Sequence, residues 1–196
     1  MKKIAFFDFD GTITKKDTLL EFIKFSSGRF NFFLGFLLNS PSLLAYKLKF
    51  ISNQTAKEKV LRFFFRDMPL RKFQELCDRF ADQKLPALIR PKALEEIEKL
   101  KKAQITVVIV SASPENWIRK WATMKQLELI STRLEIQDDR LTGKILGHNC
   151  HGKEKVNRIT ENYVLSDYSE IYAYGDSAGD KPMLALASIH FMKPFR

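Results

Sequence analysis

Cysteine is nearly absent: Cys77 and Cys150 are the only two in 196 residues. Their separation gives no metal pair or redox spacing, and no disulfide framework is indicated. Dense Lys/Arg runs with interleaved aromatics are missing too, although 33 Lys and Arg against 23 Asp and Glu leave a net charge of +10. Charge spread this widely argues against a nucleic-acid partner, and a surface that draws in phosphorylated metabolites accounts for it more simply. There is no low-complexity tract and no internal repeat. A signal peptide is not expected, because Asp8 and Asp10 interrupt the apolar run that follows Lys2-Lys3. The apolar segment from Phe30 to Phe50 is broken by Asn31, Asn39, Ser40, Pro41 and Ser42. It falls short of the roughly 20 mainly apolar residues of a spanning helix. A core-forming helical hairpin is the expected reading, ahead of an interfacial helix. A membrane surface is therefore not the expected partner, and a cytoplasmic location fits.

What the chain does contain is an alternation of short apolar runs and helical patterns. Ile4 to Phe9 is apolar and aromatic and ends at Gly11, as a buried strand would. Gln104 to Val110, Glu170 to Tyr174 and Ile189 to Met192 repeat the signature. Helical patterns fall at Pro91–Lys102, Pro114–Gln126, Lys153–Asn162 and Asp180–Ala187. The alternation predicts an α/β fold, a Rossmann-like doubly wound parallel sheet. Arg133–Ile145 reads as a hairpin. Residues 14–88 carry no convincing strand but read as helices over 18–26, 30–50 with a break near Pro41, 55–65 and 70–84. They predict an α-helical cap inserted into a core domain of residues 1–13 and 89–196. The 17 phenylalanines, many of them between Phe22 and Phe80, suggest that this layer has its own apolar interior.

In such sheets ligands bind at the carboxyl ends of the strands. The polar residues there are Asp8-Phe9-Asp10-Gly11-Thr12, Ser111-Ala112-Ser113, and Gly175-Asp176-Ser177-Ala178-Gly179-Asp180. Four carboxylates converging on one mouth would repel one another unless a hard cation intervened, and Mg²⁺ suits oxygen ligands with room for water. Each piece has a plainer use, since Asp-Gly is a common turn and Asp180 could simply cap a helix. A charged pair inside Phe6-Phe7-Asp8-Phe9-Asp10 is nonetheless costly for a core strand that binds nothing. His148, Cys150 and His151 are too cramped for a zinc site, and Trp117 and Trp121, one turn apart, read as core packing.

These motifs, together with Lys153, resemble the four motifs of the haloacid dehalogenase-like hydrolases, and more narrowly the phosphoserine-phosphatase-like branch. The resemblance implies a Mg²⁺-dependent phosphatase acting on a small phosphomonoester, with Asp8 as nucleophile and Asp10 as general acid and base. It implies metal ligation by Asp8, the backbone carbonyl of Asp10, and Asp176. Ser111, Ala112 and Lys153 would meet the phosphoryl group, and Thr12 and Asp180 would stand behind the ligands. Lys153 is preferred to Lys155 because it opens a predicted helix just after Gly152. Asp17 falls where the branch contacts the substrate amine, but it could equally cap the first helix. Lys59, with Arg62 nearby, falls where the branch grips a carboxylate, and a lysine lacks the bidentate fork of arginine. Gly179 stands where the branch usually has Asn. A phosphotransferase, a lipid-phosphate phosphatase or a non-catalytic phosphate-binding module are the alternatives.

Overall fold

Consecutive apolar residues in β1 (Lys2–Phe7) serve two faces at once. In the computed structural model, which describes residues 2–196, Ala5 and Phe7 enter one core while Ile4 and Phe6 enter another on the opposite side. The next strand, β2 (Thr106–Pro114), divides in the same way: Val107 and Ile109 face the first core, Val108 and Val110 the second. This is the period of two expected of a strand covered on both sides. With β3 (Glu128–Thr132), β6 (Tyr168–Gly175) and β7 (Ile189–Met192) they form a five-stranded sheet of order β3-β2-β1-β6-β7. All four pairings are parallel, so the carboxyl ends of β1, β2 and β6 open on one edge.

Strand β3 was not expected from the sequence. It is a five-residue strand at the sheet edge with two aliphatic residues, Leu129 and Ile130, too short to show a period. The helices between the strands follow expectation. Helix α5 (Pro91–Lys102) starts with proline at a position that needs no amide donor and ends in Lys99, Lys101 and Lys102. Helix α6 (Glu115–Met124) and helix α7 (Lys153–Asn162) complete the main covering, with a short α8 (Lys181–Leu184) before β7.

Four helices form the layer between β1 and α5: α1 (Thr18–Lys47), α2 (Asn53–Phe65), α3 (Leu70–Gln83) and α4 (Leu85–Leu88). The chain leaves and re-enters through paired backbone. Lys15 N donates to Leu88 O and Arg90 N to Ile13 O, beside a Thr14–Ile89 bridge. The expected break at Pro41 does not occur, and helix continues through it. The interruption lies at Gly28, between the two helical stretches expected over 18–26 and 30–50, and its φ of 79° and ψ of 164° suit glycine far better than any residue with a Cβ. Pro41 is exposed, so the carbonyl it leaves unbonded can turn to water.

The layer does not have a separate interior. Phe22 meets Phe65, Phe73 and Phe80 and stacks on Trp117 of α6 at 4.7 Å. The indole of Trp117 donates to Thr18 Oγ1 at 3.0 Å. These rings belong to the core that covers one face of the sheet. Trp121 packs beside Phe9, so both tryptophans are core residues, as their spacing suggested.

The hairpin is present as β4 (Leu134–Gln137) and β5 (Arg140–Ile145), turned by Asp138 and Asp139 at φ of 49° and 55°. That pairing of positive angles matches the twist of a two-residue hairpin turn. It attaches to the helical layer: Asp67 N donates to Leu141 O, Leu141 N to Met68 O and Leu70 N to Asp139 O. Gly143 lies against the backbone of Arg62, with no room for a Cβ.

Candidate active site

Asp8 follows the last residue of β1, and its amide donates to Tyr174 O on β6. The chain then makes a wide turn in which Thr14 N reaches back to Phe9 O. Gly11 has φ of 83° there. The carboxylate of Asp8 is 7% exposed and doubly held: Thr12 Oγ1 donates to Oδ2 at 2.9 Å and Lys155 Nζ to Oδ1 at 2.6 Å. The same ammonium donates to Asp180 Oδ1 at 2.7 Å and Val110 O at 2.8 Å. Three acceptors use all three of its protons.

The lysine in the mouth is thus Lys155, and the preference for Lys153 is corrected. Lys153 is exposed, whereas Lys155 is 1% exposed. The signal was in the helix period. At 3.6 residues per turn Lys155 lies about 40° from the buried Ile159, and Lys153 about 120° away. Proximity to Gly152 was the weaker cue.

Electrostatics at the mouth are strongly coupled. Burial pushes Asp8 up to about 7 against the pull of Lys155, and the charges of Asp180 and Asp10 add to the rise. Burial alone would lower Lys155, but Asp8 and Asp180 outweigh it and hold the ammonium charged. Asp180 is also buried, yet Lys155 and Ser177 hold it below the usual carboxylate range. Its Oδ2 accepts from Asp176 N, Ser177 N and Ser177 Oγ.

Oxygens of Asp8, Asp176 and Asp180 lie within 4.8 Å of one another. Asp180 is saturated by hydrogen bonds, which leaves Asp8 and Asp176 as the carboxylates able to bind a cation. Burial and the charge of Asp180 raise Asp176, although Arg196 Nη2 pairs with its Oδ2 at 2.6 Å. Excess negative charge on oxygen donors fits a hard divalent cation.

Asp10 lies across the same mouth. Its Oδ1 accepts from Thr18 N at 2.7 Å and its Oδ2 from Ser113 Oγ at 2.6 Å. Those bonds engage both oxygens of its side chain. Burial, with the charge of Asp17, raises its pKa. Asp17 accepts from Leu20 N and caps α1 while also lining the pocket, so its two sequence readings coexist in the geometry. Ser111 is fully buried and its Oγ accepts from Ser113 N. Ser113 and Ala112 line the cavity, which measures about 360 Å³.

Lys57 was not foreseen in the mouth, and Ser113 was expected there only as a polar strand-end residue. Ser113 is the hydroxyl that touches Asp10. Lys57 of α2 reaches Ala112 O at 2.8 Å and Asn149 Oδ1 at 3.2 Å. Lys57 precedes Val60 and Leu61, both buried, by three and four residues, and that spacing marked it as inward-facing. Lys59 points away and donates to Ser42 Oγ, and Arg62 lies beside the hairpin.

A Cβ on Gly11 would overlap the carboxylate of Asp176, and φ of 83° disfavours any other residue. Gly11→Ala is expected to displace Asp176 and, if the mouth is catalytic, to lower its activity about 100-fold, the scale of a misplacement by about 1 Å at a reacting centre. Steady-state kinetics and cation titration would check both effects.

A strand-end carboxylate, a buried lysine that fixes it and a further carboxylate pair thus gather at the carboxyl ends of a parallel sheet. The sequence profile of the haloacid dehalogenase-like hydrolases matches residues 5–185, and the chain belongs to that family. Protein CicA of Caulobacter vibrioides is 36% identical over 194 residues, covering 97% of this chain and 85% of that protein. A Bordetella pertussis protein of unknown function shares the fold at a TM-score of 0.85 and 21% identity, over 98% of this chain and 90% of the other. A phospho-aspartyl intermediate analogue of phosphoserine phosphatase does so at 0.71 and 20%, over 98% and 86%.

Proposed function

We propose that this hydrolase is a phosphatase that cleaves a small phosphomonoester through an aspartyl-phosphate on Asp8, with Mg²⁺ as cofactor. The observation that carries the reading is the placement of Asp8 and Asp10 on one cavity with different states: Asp8 paired to Lys155, Asp10 held in a setting that favours its protonated form. Asp8 and Asp176, with the Asp10 carbonyl, would hold the cation, which offsets repulsion between the carboxylate and the phosphoryl oxygens.

In the first half-reaction an Asp8 oxygen bonds to phosphorus, the ester P–O bond breaks, and Asp10 gives its proton to the departing alcohol. In the second, Asp10 takes a proton from water as that water attacks phosphorus and the acyl-phosphate P–O bond breaks, releasing phosphate, restoring the Asp8 carboxylate and returning Asp10 to its protonated form. Lys155 fixes the nucleophile and supplies positive charge beside the transferring group. The turn of Ser111, Ala112 and Ser113 forms the wall that the phosphoryl oxygens meet. The layer of residues 14–88 acts as a cap that excludes bulk water.

The cavity favours one kind of alcohol. Leu19, Leu20, Phe36, Leu43, Tyr46 and Val60 line its cap side, while Lys59 lies away from the site. This supports a leaving group with an apolar part, a lipid phosphate included, over phosphoserine. A panel of monoesters assayed for phosphate release tests both levels. Release from an aryl or short-chain lipid phosphate is expected to exceed release from phosphoserine by about tenfold or more, and excess chelator is expected to abolish it. Full activity in chelator overturns the cation, and a preference for phosphoserine overturns the apolar pocket.

A further inference from the structure

The second half of α1 is apolar on both sides, and among the described residues only one side has a partner. Phe32, Gly35 and Phe36 face inward, and a Cβ on Gly35 would overlap the ring of Phe64 on α2. The outward side carries Phe30, Phe33, Leu34, Leu37, Leu38, Leu44 and Leu48. These follow a helical stripe over 18 positions, about 27 Å at 1.5 Å per residue. Phe30 is 79% exposed, Leu37 70%, and Phe50 beyond the helix end 79%. A helix apolar all round normally has a second surface against it, and a contiguous exposed patch marks an interaction site.

Charge identifies that surface. Between Glu21 and Glu58 there is no Asp or Glu, while Lys24, Arg29, Lys47, Lys49 and Lys57 all fall in the interval. Arg29, Lys47 and Lys49, at the two ends of the stripe, are exposed. A second copy of this chain would bring like charges together with no acidic residue on the face to pair them. A surface that is apolar within and anionic outside pairs with both features. No helix among the described residues is long and apolar enough to cross a membrane, so the contact is one of lying on the bilayer. The core-forming hairpin expected over Phe30 to Phe50 is a single stretch of helix with one side in the core and the other exposed.

We infer that the outward face of α1, from Phe30 to Phe50, seats the protein on an anionic lipid bilayer. The stripe enters the headgroup layer, and Arg29, Lys47 and Lys49 meet lipid phosphates. Phe36, Leu43 and Tyr46 of the same helix line the cavity, so the catalytic mouth opens beside the seated face. This inference stands apart from the catalytic reading, because binding is measured without turnover.

Co-sedimentation with mixed phosphatidylcholine and phosphatidylglycerol vesicles tests it. The protein is expected to pellet with mixed vesicles at low salt. Binding should weaken about tenfold on pure phosphatidylcholine, and also with Lys47→Glu and Lys49→Glu together. Phe33→Ser with Leu37→Ser should weaken it at least as much, with an unchanged circular-dichroism melt showing that the fold persists. Protein that stays in the supernatant with mixed vesicles overturns the inference. Equal binding by the Phe33 and Leu37 variant overturns it as well. So does a dimer in light scattering that the same variant dissolves, since a second copy would then occupy the face.

Discussion

Lys155→Met is expected to abolish phosphate release and to lower the melting temperature by about 10 °C, while Lys153→Met changes neither. Lys155 alone reaches Asp8, Asp180 and Val110 O. Removing it leaves two buried carboxylates without their cation, and breaking a buried pair by deleting one partner typically costs about 3–5 kcal/mol. In a domain of this size each kcal/mol is worth about 2–4 °C. Lys153 is exposed, and substitutions at such sites stay within about 0.5 kcal/mol. The loss should also show in the pH dependence. Asp180 is held below its ordinary value, so its contribution is present above about pH 4 and lost as pH falls through the folded value. Lys155→Met should flatten that acid limb. Thermal melts between pH 3 and pH 7 on both variants decide the point. A normal enzyme with Met at 155, or a dead one with Met at 153, would return the role to the other lysine.

The same pair of lysines shows what the sequence could reveal. Strand ends were legible because a parallel sheet demands near-continuous apolar runs, and Ile4–Phe7 and Thr106–Val110 supply them. The carboxylates were legible because four acidic residues beside such runs have few structural uses. Which lysine points inward depended on helix phase, and one residue shifts a side chain by about 100° around the axis. Lys57 was lost for the same reason beside Lys59. Strand β3 was lost because an edge strand needs only one or two aliphatic residues. The exposure of the outer face of α1 was not legible, because in a stretch that is apolar all round hydrophobicity alone does not say which side packs on the core. Pairing of the hairpin with residues 67–70 is a tertiary contact that no local pattern encodes.

Asp8→Asn is expected to lower turnover by about 10⁴-fold or more while leaving the fold largely intact. The substitution is isosteric. Lys155 keeps Asp180 and Val110 O as acceptors, and a side-chain oxygen remains for Thr12. It also removes a carboxylate that burial has pushed up to about 7, so the lost pairing is partly offset by relief of a buried charge. A stability change within about 2 kcal/mol is expected, well short of that from Lys155→Met. The catalytic loss is large because an amide cannot form the acyl-phosphate bond on which both half-reactions depend. Acid quenching of enzyme turning over a phosphorus-labelled aryl phosphate isolates this step. Wild-type protein should retain label that hydroxylamine removes, as an acyl-phosphate does, and Asp8→Asn should retain none. Asp10→Asn offers the opposite signature. An aryl leaving group needs little protonation, so the label should still form. Water would then lack its base, and the label should persist far longer than in the wild type. Label on Asp8→Asn, or none on any form, would move the nucleophile elsewhere. Label that builds up on Asp10→Asn and is absent from Asp8→Asn would fix the order of the two carboxylates in the reaction.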